Sequence, residues 1–470
     1  SWSEITTQFR EPLAEHNFNL EILGGGSGGY SAALRAAQLG MNVALVEKDK
    51  LGGTCLHRGC IPTKALLHAA EVADVTRESE QFGVHAEFQG IDMTAVNSYR
   101  DNIVDRLYKG LSGLIKAKKV TMVEGEGHLT GPKSVTVGSD VYTGKNVVLA
   151  TGSISKTLPG LEIGGRVINS DQALQMDWIP NKVAVLGGGV IGVEFASVWR
   201  SFGSEVVVIE GFDRLVPNED PSMSKQLEKA YKKRGIELKL GARFSGVTQS
   251  DAGVDISLEG GESIQADLLL VAVGRAPNAT GFGYEEQGVA MERGWVTTNE
   301  RLQTNLEGVY AVGDIVPGLQ LAHRGFQQGI FVAEEIAGLN PQVIDEMGIP
   351  RVTYCEPEIG SVGLTEEQAK EKFGADKIST YEYNLAGNGK SQILDTAGVI
   401  KLIREVNGPV VGFHMIGSRA GEQIGEAQLI VNWEAHPEDV APLVHAHPTM
   451  NESLGEAHLA LAGKPLHAHA

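Results

Sequence analysis

Sulfur is scarce in this chain. It has 3 cysteines in 470 residues, too few to staple a fold with disulfides, and that usage suits a reducing compartment. A basic surplus is missing too: 40 Lys and Arg against 59 Asp and Glu leave a formal charge of −19. The charge argues against nucleic acid or an anionic membrane as partner, and the acidity reads as solubility. No apolar run approaches the roughly 20 residues that cross a bilayer. The opening stretch, "SWSEITTQFREPLAEHNF", carries acidic residues and no apolar signal core, unlike a secretory or organellar leader. A cytoplasmic location is the expectation, and an organellar protein with its leader removed would read the same way. What remains, 42% hydrophobic and 21% charged, describes a folded chain long enough for several domains.

What is present is repetition. Leu20 to Lys48, "LEILGGGSGGYSAALRAAQLGMNVALVEK", returns in outline as Val183 to Gly211, "VAVLGGGVIGVEFASVWRSFGSEVVVIEG". Each copy reads as an apolar strand, a glycine-rich turn, a small-residue helix and a second apolar strand ending in Glu, a βαβ unit twice over. Each carries G-x-G-x-x-G: Gly24, Gly26 and Gly29 in the first, Gly187, Gly189 and Gly192 in the second. In such a turn the first glycine makes the bend, the second admits a pyrophosphate to the backbone, and the third lets helix and strand close together. The pyrophosphate then sits on a helix N-terminus, where unpaired N–H groups and the dipole favour negative charge. Glu47 and Glu210 each lie 18 residues past the last glycine, the place of a carboxylate that holds a ribose diol. Two dinucleotide sites are expected, and two in one chain suggest a hydride relay. Glu21 disagrees with its surroundings, because a parallel strand covered on both faces should be apolar throughout. Either the strand starts after it or its carboxylate finds a partner.

Three further strands close on turns: "VVLATGS" (147–153), "LLLVAVGRAPN" (268–278) and "TNLEGVYAVGDI" (304–315). The last places Asp314 where a carboxylate could accept hydroxyls from a polyol. After Pro350 the texture changes to alternating strands and then helices, which predicts a separate α+β domain.

The sulfur is not spread evenly. "GGTCLHRGCIPTK" (52–64) holds both Cys55 and Cys60, at a spacing that fits neither a thioredoxin-type C-x-x-C nor a zinc knuckle, so no metal is expected. Cys60 opens a helix with Pro62 near its start, and a helix N-terminus draws a thiol pKa down from about 8.5 toward 3.5–7.5. On one regular helix the pair would lie beyond the Cα separation of about 4.4–6.8 Å that a disulfide spans, so bridging needs a turn at Gly59. Two buried structural thiols are the alternative reading, and the flanking glycines with His57 and Arg58 count against it.

Together, "GGTCLHRGCIPTK", the two βαβ units, "ATGS", "VGRAPN", "AVGDI" and the late "HAHPTMNESLGE" resemble the class I disulfide-dependent flavoprotein oxidoreductases, from about Phe18 to the end of the chain. The resemblance is strongest to the members that oxidise dihydrolipoyl groups. It implies an α/β fold of two Rossmann-like domains and a C-terminal α+β dimerisation domain. The expected division is 1–152 for FAD, 153–278 for NAD, 279–349 completing the FAD site and 350–470 for dimerisation. FAD would meet Gly24, Gly26, Gly29, Glu47, Thr54, Lys64, Thr151, Gly152, Gly313 and Asp314. NAD would meet Gly187, Gly189, Gly192, Glu210 and Gly274. By the same resemblance Cys55 and Cys60 form a redox-active disulfide, with Cys60 against the flavin and Cys55 meeting substrate, and Lys64 and Glu194 match an ion pair beside it. His447 is the general base held by Glu452, with His445 its competitor on residues alone. The implied activity is oxidation of a protein-bound dihydrolipoyl group with reduction of NAD⁺ by a homodimer. Its partner would be the lipoyl domain of an acyltransferase in a 2-oxoacid dehydrogenase complex, or the carrier protein of glycine cleavage. Reduction of a low-molecular-weight disulfide by NAD(P)H is the alternative, and Glu210 counts against its NADPH form because a carboxylate repels a 2′-phosphate. Two departures stand out: Leu56-His57-Arg58-Gly59 between the cysteines, and the loop "NLAGNGKSQIL" (384–394).

Overall fold

In the computed structural model, which describes residues 2–9 and 15–468, the first apolar segment is the strand Asn17–Leu23. It pairs in parallel with Val43–Glu47 on one side and Asp140–Leu149 on the other, Leu20 opposite Val43 and Leu23 opposite Leu149. Residues 10–14 of the opening stretch lie outside the described residues, so the reading of that stretch as no leader gains nothing from the fold. Asp140–Leu149 serves further neighbours: its first half runs antiparallel to Ser134–Val137, and its end runs parallel to Val309–Ala311. Three parallel strands therefore end side by side, and the turns at Gly24, Thr151-Gly152 and Gly313-Asp314 gather at their carboxyl edge, where open α/β sheets bind ligands. Leu20, Ile22, Val147, Val148 and Leu149 are fully buried, as strands covered on both faces should be. Helix Ser27–Gln38 packs on helix Ala322–Ile336. Glycine makes that approach possible, since a Cβ at Gly329 would lie 2.3 Å from the Gly28 carbonyl oxygen.

Glu21 fits neither expectation. The strand includes it, opposite Ala44 and Val147, and among the described residues neither carboxylate oxygen has a hydrogen-bond partner. Burial pushes its pKa up to about 9, so the group sits in the sheet as a neutral acid. Gly144 beside it leaves the room, for a Cβ there would come within 3.0 Å of the Glu21 Cβ.

The strands so far belong to one of two compact units, formed by residues 1–65, 94–156 and 275–344. The other takes 66–93, 157–274 and 345–470, and repeats the pattern. Lys182–Leu186 lies between Glu205–Glu210 and Leu268–Val271, all parallel, with Glu237–Leu240 and Val167–Ile168 at the edges. From Arg351 onward the parallel pattern stops. A 5-stranded antiparallel sheet forms, in the order Arg351–Thr353, Glu358–Gly363, Val410–Gly417, Val399–Glu405 and Ile378–Asn384. Helices Ala420–Asn432 and Glu452–Leu461 cover it, burying Ile400, Leu402, Phe413 and Met415 against Ala427, Leu454 and Ala457. The architecture is α/β, with two Rossmann-like sheets and a C-terminal α+β layer, as the sequence predicted.

Candidate active site

Each glycine-rich turn is closed by its own glutamate. Glu47 accepts the Gly25 N–H at 2.7 Å on one oxygen and the Asp49 N–H at 2.9 Å on the other. Glu210 does the same with Gly188 at 2.6 Å and Phe212 at 3.0 Å. Gly24 and Gly187 hold φ of 111° and 116°, and a Cβ on either would lie 2.0 Å from a carbonyl oxygen, of Ala150 and of Ala272. At Gly29 and Gly192 an added Cβ would meet the carbonyl oxygens of Gly24 and Gly187 at 1.8 and 1.9 Å. The middle glycines are different. Around a Cβ at Gly26 the nearest atom is the Gly53 Cα at 3.9 Å, and around Gly189 nothing lies within 4 Å, so the helix N-termini are open to a phosphate. Two cradles of one design, each kept open by a missing side chain and flanked by a carboxylate with lone pairs to spare, fit two dinucleotides.

At the same edge of the first sheet, Asp314 accepts the Ser153 hydroxyl at 2.6 Å, and Ser153 in turn accepts Arg275 Nε at 2.8 Å. Thr151 donates to the Asn278 carbonyl at 2.7 Å and lies 2.9 Å from the Tyr284 hydroxyl. The Gly313 N–H donates to Gln328 at 2.7 Å. Gly152 and Gly274 sit at φ of 77° and 104°, each ending a strand on a left-handed turn. Beyond Glu210 the chain lines a cavity of about 570 Å³ through Phe212, Arg214, Pro217 and Asn218.

The thiols sit at the junction of two helices. Gly53–Arg58 carries Thr54 and Cys55, the chain breaks at Gly59 (φ −144°, ψ −111°), and Cys60–Glu78 begins there. This break brings the two sulfurs into hydrogen-bond contact, with both cysteines unbridged. The bond to Cys60 pushes the Cys55 thiol well above its ordinary value, and burial adds to this against the pull of Lys64. Cys55 is therefore held as the protonated partner of the pair, and Cys60 stands at the helix N-terminus, the place that favours a thiolate. Burial first, and then the neighbouring cysteines, lift the Tyr30 hydroxyl to about 12. His57 is turned away, bonded to the Leu51 carbonyl at 2.8 Å, and Arg58 pairs with Asp49 at 3.0 Å. His57 and Arg58, which depart from the family pattern between the cysteines, thus each hold a partner in the segment just before the thiols.

Glu194 is buried in helix Val190–Phe202 and accepts the Tyr354 N–H at 2.8 Å. In the C-terminal layer the two late histidines take separate carboxylates. His447 Nδ1 meets Glu452 at 2.7 Å with its ring 78% exposed, whereas His445 Nε2 meets Glu426 at 2.8 Å with its ring 12% exposed. Burial pushes the Glu452 carboxyl up, but the Thr449 N–H and the His447 ring outweigh it and hold the group below its usual value. An exposed imidazole with one nitrogen fixed by a carboxylate is a base ready to take a proton.

A sequence model of pyridine nucleotide-disulphide oxidoreductases matches residues 18–329, and one of their dimerisation domain matches residues 349–458. This chain belongs to the pyridine nucleotide-disulphide oxidoreductases. A dihydrolipoyl dehydrogenase of Bacillus subtilis is 41% identical, over 96% of this chain and 99% of its own. A mitochondrial dihydrolipoyl dehydrogenase of Pisum sativum is 40% identical, over 95% and 92%. The crystal structure of LpdA from Mycobacterium tuberculosis superposes with a TM-score of 0.88 at 24% identity, covering 94% of this chain and 99% of that one, and shows the same fold. Within the family's site, sequence reasoning missed the residues that support the named ones: Ser153, Arg275, Tyr284 and Gln328 around the sheet edge, Tyr30 near the thiols, Glu426 near the histidines. Ser153 and Arg275 had a signal, as the residues directly after Thr151-Gly152 and Gly274 in the quoted motifs.

Proposed function

We propose that the enzyme oxidises a protein-bound dihydrolipoyl group and reduces NAD⁺. The observation that carries this reading is the contact of Cys55 with Cys60 at the head of a helix, close enough for the pair to open and close a disulfide. One substrate sulfur, its proton taken by His447, attacks Cys55 and breaks the Cys55–Cys60 disulfide, so that Cys60 leaves as a thiolate. The second substrate sulfur then attacks the first and expels Cys55, giving the lipoyl disulfide and the enzyme dithiol. Glu452 fixes the tautomer of His447 and steadies the imidazolium. FAD, when bound, supplies the two-electron chemistry that joins the thiols to NAD⁺.

The first cradle, with Gly24, Gly26, Gly29, Glu47, Thr54, Thr151, Gly152, Gly313 and Asp314, is assigned to FAD, and Lys64 and Glu194 are assigned to the flavin site. The second, with Gly187, Gly189, Gly192, Glu210 and Gly274, is assigned to NAD. Residues 1–152 with 279–349 serve the flavin, 153–278 the nicotinamide and 350–470 the dimer. The partner is the lipoyl domain of an acyltransferase, or a lipoyl carrier protein, and the sparse use of cysteine suits the cytoplasm. The test is direct. The purified protein should be yellow and should turn over dihydrolipoamide with NAD⁺ far faster than NADPH with glutathione disulfide. A colourless protein, or the reverse preference, would sink the reading.

A further inference from the structure

His447 rides on an exposed loop. Val444 is 98% exposed and Leu443 59%, and the loop runs into helix Glu452–Leu461, so something must fix it if the base is to be held to a fraction of an ångström. The group that reaches both ends of the loop is a carboxylate outside it. Glu426, on helix Ala420–Asn432, meets His445 Nε2 on one oxygen at 2.8 Å and accepts the Asn451 side-chain amide on the other. His445 lies two positions before His447 and Asn451 directly before Glu452, so the two stand at the two ends of the loop. The His445 ring lies flat on the helix beyond it: a Cβ at Gly455 would come within 2.7 Å of its Nδ1. Asn388, also outside the loop, donates to the Thr449 carbonyl at 3.0 Å, and within the loop Thr449 Oγ1 donates to the Ala446 carbonyl at 2.7 Å.

We infer that Glu426 is a positioning residue for the general base: it clamps both ends of the His447 loop, through His445 and Asn451, and so holds the His447–Glu452 pair in its working orientation. The inference rests on the base role given to His447 above. The bond to Glu426 raises the pKa of His445, against burial, which favours the charged form of the ring in the clamp. Glu452 adds to this from the loop side. His458 lies on the same helix face, where burial lowers its pKa to about 4 and keeps it neutral, so no second positive charge opposes the clamp.

The experiment is a double-mutant cycle. Glu426→Gln and His445→Gln are made alone and in a His447→Gln background, and two rates are measured on the flavin-loaded dimer. One is dihydrolipoamide turnover. The other is NADH oxidation by ferricyanide, which needs neither the thiols nor His447. Each single variant should lose between about 10- and 100-fold in dihydrolipoamide kcat with the ferricyanide rate unchanged. In the His447→Gln background neither should cost more than about twofold, because the group they position is gone. A normal kcat in Glu426→Gln, or the same fold-loss in both backgrounds, would overturn the clamp. Near-normal turnover in His447→Gln alone would instead remove the base assignment and the clamp with it. Should Glu426→Gln fail to fold, the His445→Gln arm decides by itself.

Discussion

A carboxylic acid without a partner, deep in a parallel sheet, has a measurable signature. Folded protein keeps the Glu21 proton up to about pH 9, whereas the unfolded chain releases it near the ordinary 4.5. Folding therefore takes up a proton between those limits, and stability must fall as pH rises across them. Glu21→Gln should leave the melting temperature near pH 4.5 almost unchanged and stabilise the protein by a few kcal/mol at pH 8, flattening the pH profile in a thermal-shift series. The three cysteines separate in the same way. Cys55→Ser and Cys60→Ser should each lose dihydrolipoamide turnover while keeping NADH–ferricyanide activity. Cys355 is buried, its thiol bonded to the Pro357 carbonyl at 3.3 Å and pushed up by burial, so it is inert. Cys355→Ala should cost about 1 kcal/mol of stability and no kcat. Steady-state rates and denaturant midpoints on the three variants check both statements.

At the scale of the element, the duplicated turn lets the two cofactor sites be broken one at a time. A Cβ at Gly29 or Gly192 runs into a carbonyl oxygen at under 2 Å, with no flexible neighbour to yield. Gly29→Ala should purify with little flavin colour, whereas Gly192→Ala should stay yellow and lose activity with NAD⁺. Absorbance and NADH–ferricyanide rates distinguish the two. These turns were legible in the sequence because their logic is local: strand, glycines, helix and acid fall within a span of 28 residues from Leu20 to Glu47. The partners of the named residues were not, because no spacing rule ties them to the residues they support. Arg275 reaches Ser153 across 122 positions and Gln328 reaches Gly313 from a different helix. Glu426 lies 19 positions from His445, with nothing in its own neighbourhood to set it apart. Glu21 was visible as an anomaly, yet no sequence rule says that a sheet will tolerate an acid by keeping it protonated. Propensity and periodicity report what an element is, and tertiary contact decides what each polar side chain does there.

For the whole molecule the question is which chain supplies the base. The dimerisation match, 349–458, includes both His447 and Glu452. A site that borrows them from the second subunit predicts complementation. A hybrid dimer of one Cys55→Ser chain and one His447→Gln chain would hold one site with intact thiols and an intact base. Differently tagged, co-expressed hybrids should recover activity well above either parent homodimer, and hybrids no better than their parents would place each base with its own chain's thiols. The glutamate bonds to Gly25 and Gly188 carry one more consequence. Because Glu47 and Glu210 each hold one turn N–H, of Gly25 and of Gly188, the loops are already braced and less ordering entropy is left to lose on binding. Protein stripped of flavin should therefore keep slow amide exchange at Gly25, accept FAD in a single kinetic phase and regain its activity without a refolding step. The cofactor becomes a replaceable part, and analogues with altered redox potential can be installed in an otherwise finished enzyme.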